Sequence, residues 1–332
     1  MREKPTIAED ALRDCLANQW GLTDVQLDFL PLGLDTRAGV YRVTTATQTY
    51  LLKVKAGALY APTCVVPHYL HQQGIAAVVA PVPTRADALW TEVAGWAVIL
   101  YPFIVGVSDW DPGLTPDQWW AMGAALRQIH QTPIPVGGFA TMRREAFEPA
   151  RYRDHLQELM PQLSAAEDGD PLADMVRTSW RLHHATIQAA LVTMAALAQR
   201  LREQATPYVI CHADLHPGNI IRGSADSMHV IDWDDVMLAP QERDFLFTGE
   251  PAADTPFMQG YGTVAVDWAA LTYYRWERVL QDLIECAQCV FVRADVTMGV
   301  KAEQAQLFSD ILMGGGEVAS AQQAAAHIPP EG

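Results

Sequence analysis

The stretch His212-Ala-Asp-Leu-His-Pro-Gly-Asn219, followed by Ile231-Asp-Trp-Asp-Asp235, spaces three oxygen-bearing side chains along the chain in a way few folds accommodate. Asp214 precedes the amide of Asn219 by five residues, and Asp232 follows that amide by thirteen. Between Asn219 and Asp232 lie Ile220-Ile221, a polar turn from Gly223 to Ser227 and the apolar run Met228 to Ile231. That pattern reads as two short strands joined by a hairpin. A pairing centred between Ala225 and Asp226 puts Asn219 opposite Asp232, so that two oxygen ligands converge. Hard oxygen donors that leave coordination positions open suit Mg²⁺ carrying a substrate's phosphates. Asp214, on the loop before the hairpin, then stands within reach of a hydroxyl that attacks the phosphate. Each of these residues by itself is better explained as turn punctuation; their joint spacing is what points to chemistry.

A chain of 332 residues can bury a large core, and its length suggests two lobes more than one. Half of the residues are apolar and ten are Trp, as expected of a folded protein. The net charge of -16 argues against nucleic acid or an acidic membrane surface as partner. It suits a cationic small-molecule substrate, and equally it serves solubility. Residues Met1 to Asp10 are polar and charged, unlike a signal peptide, and the longest apolar stretch, Ala94 to Val107, is broken by Pro102 and too short to cross a bilayer. A cytoplasmic protein without a membrane partner is expected. Five cysteines do not make a disulfide framework; Cys286-Ala-Gln-Cys289 has redox or zinc spacing but sits in a helical pattern, which favours buried thiols.

The order of elements follows from periodicity. Thr6 with Glu9 reads as a capping box that opens a helix, and Gly21 stops it. Strand-like runs follow at Gln26 to Leu32, Val40 to Thr45, Thr49 to Val54 and Gly95 to Leu100. The turn Gly33 to Gly39 has two glycines where backbone could approach a phosphate, although an ordinary hairpin turn looks the same, and no Walker A sequence occurs. Lys53 alternates with Leu51 and Lys55, and an inward-facing Lys on such a strand needs an anionic partner, which a triphosphate would supply. From Thr115 onward the pattern is helical: a capping box at Thr115 and Gln118, then helices over about Ala146 to Leu163, Pro171 to Glu203 and Asp267 to Val292. The shift places a lobe boundary near Tyr101-Pro-Phe-Ile104, and the domains are expected at 1–103 and 104–332. A short extended connector there would offer backbone groups to a planar base. Gly314-Gly-Gly316 is expected to begin a weakly structured tail.

These motifs, in order and together, resemble the aminoglycoside phosphotransferase family, whose fold is that of the protein kinases. The catalytic-loop segment His212 to Asn219 carries the likeness to the family. The segments Tyr50-Leu-Leu-Lys-Val-Lys55, Leu100-Tyr-Pro-Phe-Ile104, Leu126-Arg-Gln-Ile-His130, Ile231 to Asp235, Leu238 to Asp244, Gly260-Tyr-Gly262 and Tyr273 to Arg278 are similar to its spectinomycin-phosphorylating branch. The resemblance implies an α+β, bilobal protein-kinase-like fold with a small β-rich N-terminal lobe and a larger, mainly helical C-terminal lobe. It implies ATP and Mg²⁺ as cofactors, Asp214 as catalytic base, and Asn219 and Asp232 as metal ligands. Lys53 would hold the α- and β-phosphates, the Tyr101 to Phe103 backbone would receive adenine, and Ile221 and Ile231 would floor the base. His212 and Asp244 are expected to brace the catalytic loop.

The implied reaction is O-phosphorylation of a cationic aminocyclitol of the spectinomycin type, which would confer resistance. Two ammonium groups on the acceptor ask for carboxylates and aromatic faces. Asp234, two residues beyond Asp232 on a continuing strand, and Tyr273 and Glu277, four apart on one helix face, are the expected acceptor contacts. The alternatives are a kinase for another aminoglycoside or for a small alcohol of the choline, homoserine or methylthioribose type, and a nucleotide-binding protein without catalysis. One departure motivates the last. Kinases of this type pair the strand Lys with an acid on the following helix, yet no Asp or Glu lies between Lys55 and Asp87, and Pro67 interrupts that helix. Lys53 is then paired differently, or its site assembles on substrate binding, or activity is altered.

Overall fold

Alternation along Thr49-Tyr-Leu-Leu-Lys-Val-Lys-Ala56 sends Leu52 and Val54 to one face and Leu51, Lys53 and Lys55 to the other, and this asymmetry sets the first layer of the fold. The computed structural model describes residues 4–33, 37–108, 113–223, 227–294, 296–313 and 316–329. Five antiparallel strands, β1 (Gln26–Leu30), β2 (Ala38–Thr44), β3 (Thr49–Ala56), β4 (Thr91–Val93) and β5 (Trp96–Pro102), form one sheet in the order β1-β2-β3-β5-β4. The apolar face, with Tyr41, Val43, Leu52, Val54, Val98 and Leu100, packs against Ile7, Leu12 and Leu16 from the N-terminal segment. The helix there, α1 (Glu9–Cys15), continues as a π-helical turn to Trp20 and stops at Gly21 in the left-handed region. Its N-cap is Ala8 with no side-chain cap, so the expected Thr6 capping box is not used; Glu9 instead pairs with Lys4 and, at 2.8 Å, with Arg13.

Contacts divide the chain into two compact units: Met1–Arg144 with Val209–Ala239 and Ala252–Thr263, and Glu145–Tyr208 with Pro240–Pro251 and Val264–Gly332. This division differs from a single boundary at 103/104, because several later segments pack with the first 144 residues. In the first unit α2 (Pro62–Gln72) follows β3 and runs through Pro67. Helix α3 (Pro116–Gln131) begins with the expected capping box, in which the Thr115 hydroxyl accepts the Gln118 N–H and the Gln118 side chain accepts the Thr115 N–H. It crosses α6 (Pro256–Tyr261) closely enough that a Cβ on Gly123 would stand 2.1 Å from the Phe257 carbonyl, and one on Gly260 1.9 Å from that of Trp120. Two further strand pairs complete the unit, β6 (Val209–Cys211) with β9 (Met237–Ala239), and β7 (Ile220–Arg222) with β8 (Met228–Val230).

The second unit is helical: α4 (Ala150–Leu163), α5 (Pro171–Glu203), α7 (Trp268–Phe291), α8 (Met298–Leu312) and α9 (Glu317–Ala326). Caps explain two of its sharpest boundaries, since the Asp170 carboxylate accepts from Leu172 and Ala173 at the start of α5 and that of Asp267 from Ala269 and Ala270 at the start of α7. Helix α7 is the largest single contributor to the core, with Tyr273, Tyr274, Leu280 and Leu283 fully buried. The tail expected to be loose is α9, anchored through buried Val318, Ala321 and Ala324; Gly314 and its neighbour at 315 lie outside the described residues. Cys286 and Cys289 are buried on α7, and the Cys286 Sγ lies 3.2 Å from the Gln304 side-chain oxygen. Among the described residues no helix is long and apolar enough to cross a membrane.

Candidate active site

The polar face of β3 meets the turn that follows β8. Lys53 Nζ donates to Asp232 Oδ1 at 2.9 Å and lies 3.0 Å from Asp234 Oδ1, while Lys55 Nζ reaches Asp234 Oδ2 at 2.7 Å. Only 12% of the Lys53 side chain is exposed. Burial pulls its pKa down, but the Asp232 and Asp234 carboxylates outweigh this and hold it above the ordinary lysine value. Burial likewise pushes Asp234 upward, and the two ammonium groups overcome it and bring its carboxyl to about 2. The anionic partner that Lys53 requires is therefore present, from residues 179 and 181 positions downstream rather than from the next helix.

The hairpin forms, with a register one residue from that expected. Ile220 pairs with Val230 and Arg222 with Met228, and the Ile231 N–H donates to the Asn219 carbonyl at 3.0 Å. Asn219 thus stands opposite Ile231, not Asp232. The Gly223 N–H donates to the Ser227 carbonyl at 2.8 Å, so the pairing is centred on a residue position instead of between two; residues 224–226 lie outside the described residues. The chain then leaves the strand. Asp232 has φ of 61°, a left-handed conformation that Asp tolerates better than most residues, and Asp234 lies on a turn rather than on a continuing strand. That turn is held from outside: the Tyr60 hydroxyl donates to the Val236 carbonyl at 2.9 Å, and Arg143, stacked over the Tyr60 ring, donates to the Asp234 carbonyl at 2.6 Å.

The loop before β7 is organised by its two histidines. His212 is fully buried; its Nε2 donates to the Ile231 carbonyl at 2.9 Å and its Nδ1 accepts the Asp214 N–H at 3.3 Å. His216 caps the short turn Pro217–Asn219 by accepting the Gly218 N–H at 3.0 Å, and its Nε2 lies 3.6 Å from Asp214 Oδ2. Asn219 Nδ2 donates to the Asp214 carbonyl at 2.9 Å and to Asp214 Oδ2 at 3.3 Å, which leaves the amide oxygen out of both contacts. Asp214 and Asn219 are in direct contact, and Asn219 adjoins Asp232 through the Ile231 pairing.

Tyr101 lies opposite Leu51 at the end of β5, on the Lys53 face, and its phenol is driven well above the usual range by burial, with Cys64 and Asp234 adding to this. Phe103 donates its N–H to the Thr49 carbonyl and carries Arg42 over its ring. The connector beyond is tied to β7 by the antiparallel bridge of Val107 with Arg222. There a Cβ on Gly106 would meet the Arg222 carbonyl at 2.4 Å and Ile221 Cγ2 at 2.6 Å. The connector and the Ile221 strand are thus neighbours. The glycine-bearing turn at 33–39 includes 34–36, outside the described residues.

Tyr273 and Glu277 belong to the second unit. Tyr273 is fully buried, edge-on to Phe147 at 5.1 Å, and its hydroxyl has no hydrogen-bond partner among the described residues. Glu277, 2% exposed, is held by Arg151 at 3.1 Å and by Arg243. Asp244 is buried on the 3-10 turn Gln241–Phe245 of the same unit.

The family defined as phosphotransferase enzymes matches residues 28–277. The chain belongs to this phosphotransferase family. It is an aminoglycoside phosphotransferase-like kinase that acts on hydroxyl groups. Among solved structures it is similar to the spectinomycin phosphotransferase APH(9)-Ia in complex with ADP and spectinomycin, with 27% identity, a TM-score of 0.86, and coverage of 97% of this chain and 99% of that one. The AMP-bound complex of the same enzyme gives 27% identity, a TM-score of 0.80, and coverage of 96% and 99%. A microcompartment-associated aminopropanol kinase shares the fold at 16% identity and a TM-score of 0.61, over 96% of this chain and 98% of that one. A search of curated proteins finds no match.

For this phosphotransferase, sequence reasoning passed over Thr63, Tyr60 and Arg143. Thr63 had no signal beyond its place after β3, and Arg143 none at all. Lys55 was seen only as a neighbour of Lys53 on the strand face.

Proposed function

We propose that the chain phosphorylates a hydroxyl of a cationic aminocyclitol of the spectinomycin type, using ATP and Mg²⁺, and thereby confers resistance. The observation that carries the reading is the contact chain Asp214–Asn219 and Lys53–Asp232, which gathers a base, an amide oxygen, a carboxylate and an ammonium group within one unit. These donors suit the implied cofactors: two oxygens for a hard cation and one buried cation for phosphate. When bound, Mg²⁺ supplies charge neutralisation at the phosphate oxygens of ATP. Asn219 Oδ1 and the Asp232 carboxylate would hold it, and Lys53 Nζ would contact the α- and β-phosphates. The Tyr101 to Phe103 backbone would meet adenine above Ile221 and Ile231. Asp214 would orient the acceptor hydroxyl and take its proton. Use of ATP fits a cytoplasmic location.

The acceptor class rests on similarity to a spectinomycin phosphotransferase over nearly both whole chains and on the net charge of -16. Of the three acceptor contacts expected from sequence, Asp234 and Glu277 have cationic partners of their own in the chain, which a cationic substrate would have to displace. Tyr273 is fully buried, and its hydroxyl offers no surface to an acceptor. The case for a non-catalytic protein loses its motive once Lys53 has acidic partners.

ADP release from purified protein with ATP and Mg²⁺ tests the reading across spectinomycin, kanamycin, choline and homoserine. Spectinomycin-dependent turnover is expected, and Asp214→Asn should lower it by roughly 10²–10⁴-fold with nucleotide affinity retained. Turnover with choline or kanamycin and none with spectinomycin sinks the acceptor assignment. Retained turnover in Asp214→Asn sinks the base.

A further inference from the structure

We infer that Asp234 is the positioning residue that keeps Lys53 aimed, in place of the acid absent from α2. The inference rests on the kinase reading above, in which Lys53 contacts nucleotide phosphates.

Lys53 has two carboxylate neighbours, and they differ in what else they can do. Asp232 is 46% exposed and is the residue proposed to take the metal. A carboxylate that turns its oxygens to a divalent cation shares them with Lys53 or gives Lys53 up. Asp234 is 20% exposed and has both oxygens engaged within the chain: Oδ1 lies 3.0 Å from Lys53 Nζ and 3.1 Å from the Thr63 hydroxyl, and Oδ2 is 2.7 Å from Lys55 Nζ. A buried ammonium needs a lasting counter-charge, and Asp234 is the one held in place to provide it.

Helix α2 still takes part, through a different chemical group. Its segment Pro62 to Gln72 has no carboxylate, and what it offers is the Thr63 hydroxyl, 3.1 Å from both the Trp233 carbonyl and Asp234 Oδ1. The acid has moved from the helix to the turn after β8, and the helix fixes that turn. Lys55 supplies the second positive charge that one carboxylate between two lysines requires. The four side chains Lys53, Lys55, Thr63 and Asp234 therefore act as one unit, whose product is the direction of the Lys53 ammonium.

The test is a double-mutant cycle on ADP affinity, measured by calorimetry on the full chain with saturating Mg²⁺ and no acceptor, so that Asp232 is engaged by the cation and cannot stand in for Asp234. Lys53→Ala should weaken ADP by roughly tenfold or more, the loss expected for a charge-assisted phosphate contact. Asp234→Asn should weaken it comparably, and the double variant should be no weaker than Lys53→Ala alone, because Asp234 acts through Lys53. In the Asp234→Asn background, Thr63→Glu returns a carboxylate from the helix side and should restore most of the affinity; thermal melts of each variant report folding. Additive losses in the double variant, or unchanged affinity in Asp234→Asn beside a weakened Lys53→Ala, overturn the role of Asp234 and leave the kinase reading standing. Unchanged affinity in Lys53→Ala removes the phosphate role of Lys53, and the inference falls with it.

Discussion

Gly106 lets the chain leave β5 in van der Waals contact with β7, because any Cβ there would run into the Arg222 carbonyl and Ile221. Gly106→Ala should cost about 1–3 kcal/mol, the usual effect of forcing a methyl group into a packed site. Because Ile221 is the side chain displaced, the KM for ATP should rise as well; denaturant melts and initial-rate kinetics check the two effects separately. At this scale the sequence was readable where spacing along the chain carried the signal, as with Asp214, Asn219 and Asp232. It was unreadable where a partner lay far downstream. The acid for Lys53 was expected on the next helix because kinases of this type keep it there, and nothing near Lys53 advertises Asp234. The one-residue shift at Asn219 has a similar cause, since the sequence shows a turn but not whether its loop is odd or even.

Three helix starts with chemical punctuation, those of α3, α5 and α7, were legible to within a residue, whereas the Thr6 box was not used. Helix α5 starts where Pro171 follows Asp170, and α7 starts after Asp267, because caps and a first-turn proline are local signals. Helix α9 and strand β4 were missed: α9 is Ala-rich and follows glycines, and β4 has three residues, too few for alternation to show. The junction of α7 and α9 has a pH dependence of its own. Burial pushes the Asp282 carboxyl up to about 7, against the pull of Arg278 and with help from nearby Glu317, itself raised by burial. A carboxyl raised above its unfolded value binds its proton more tightly in the native state. Its stabilising effect is complete below about pH 4, the unfolded value, and is lost as pH rises through 7. The melting temperature of the wild type should fall between about pH 4 and 7 from this source, and Asp282→Asn should flatten that slope. A wild-type profile that is flat, or rises, across this range refutes the assignment.

For the molecule as a whole, the net charge of -16 creates a field that attracts cations and is screened by salt. The KM for a dicationic acceptor should rise several-fold between about 0.05 and 0.5 M NaCl, and the KM for anionic ATP should not follow it; steady-state kinetics at four salt concentrations would show this. The gross plan, strands first and helices after, was legible from the change in period. The packing of late segments with the first 144 residues was not, because short strands such as Val209–Cys211 show no partner in their own sequence.

That interleaving bears on biosynthesis. The first unit draws on Val209–Ala239 and Ala252–Thr263, so a ribosome that has translated its first 144 residues has not yet made a foldable piece. Lys53 precedes Asp232 by 179 residues, and at roughly 5–20 residues per second its ammonium waits on the order of 10–35 s before a counter-charge exists. Throughout that interval the strand face that carries Lys53 lacks the acidic turn it later meets, which makes this stretch of translation the natural point for a chaperone to intervene.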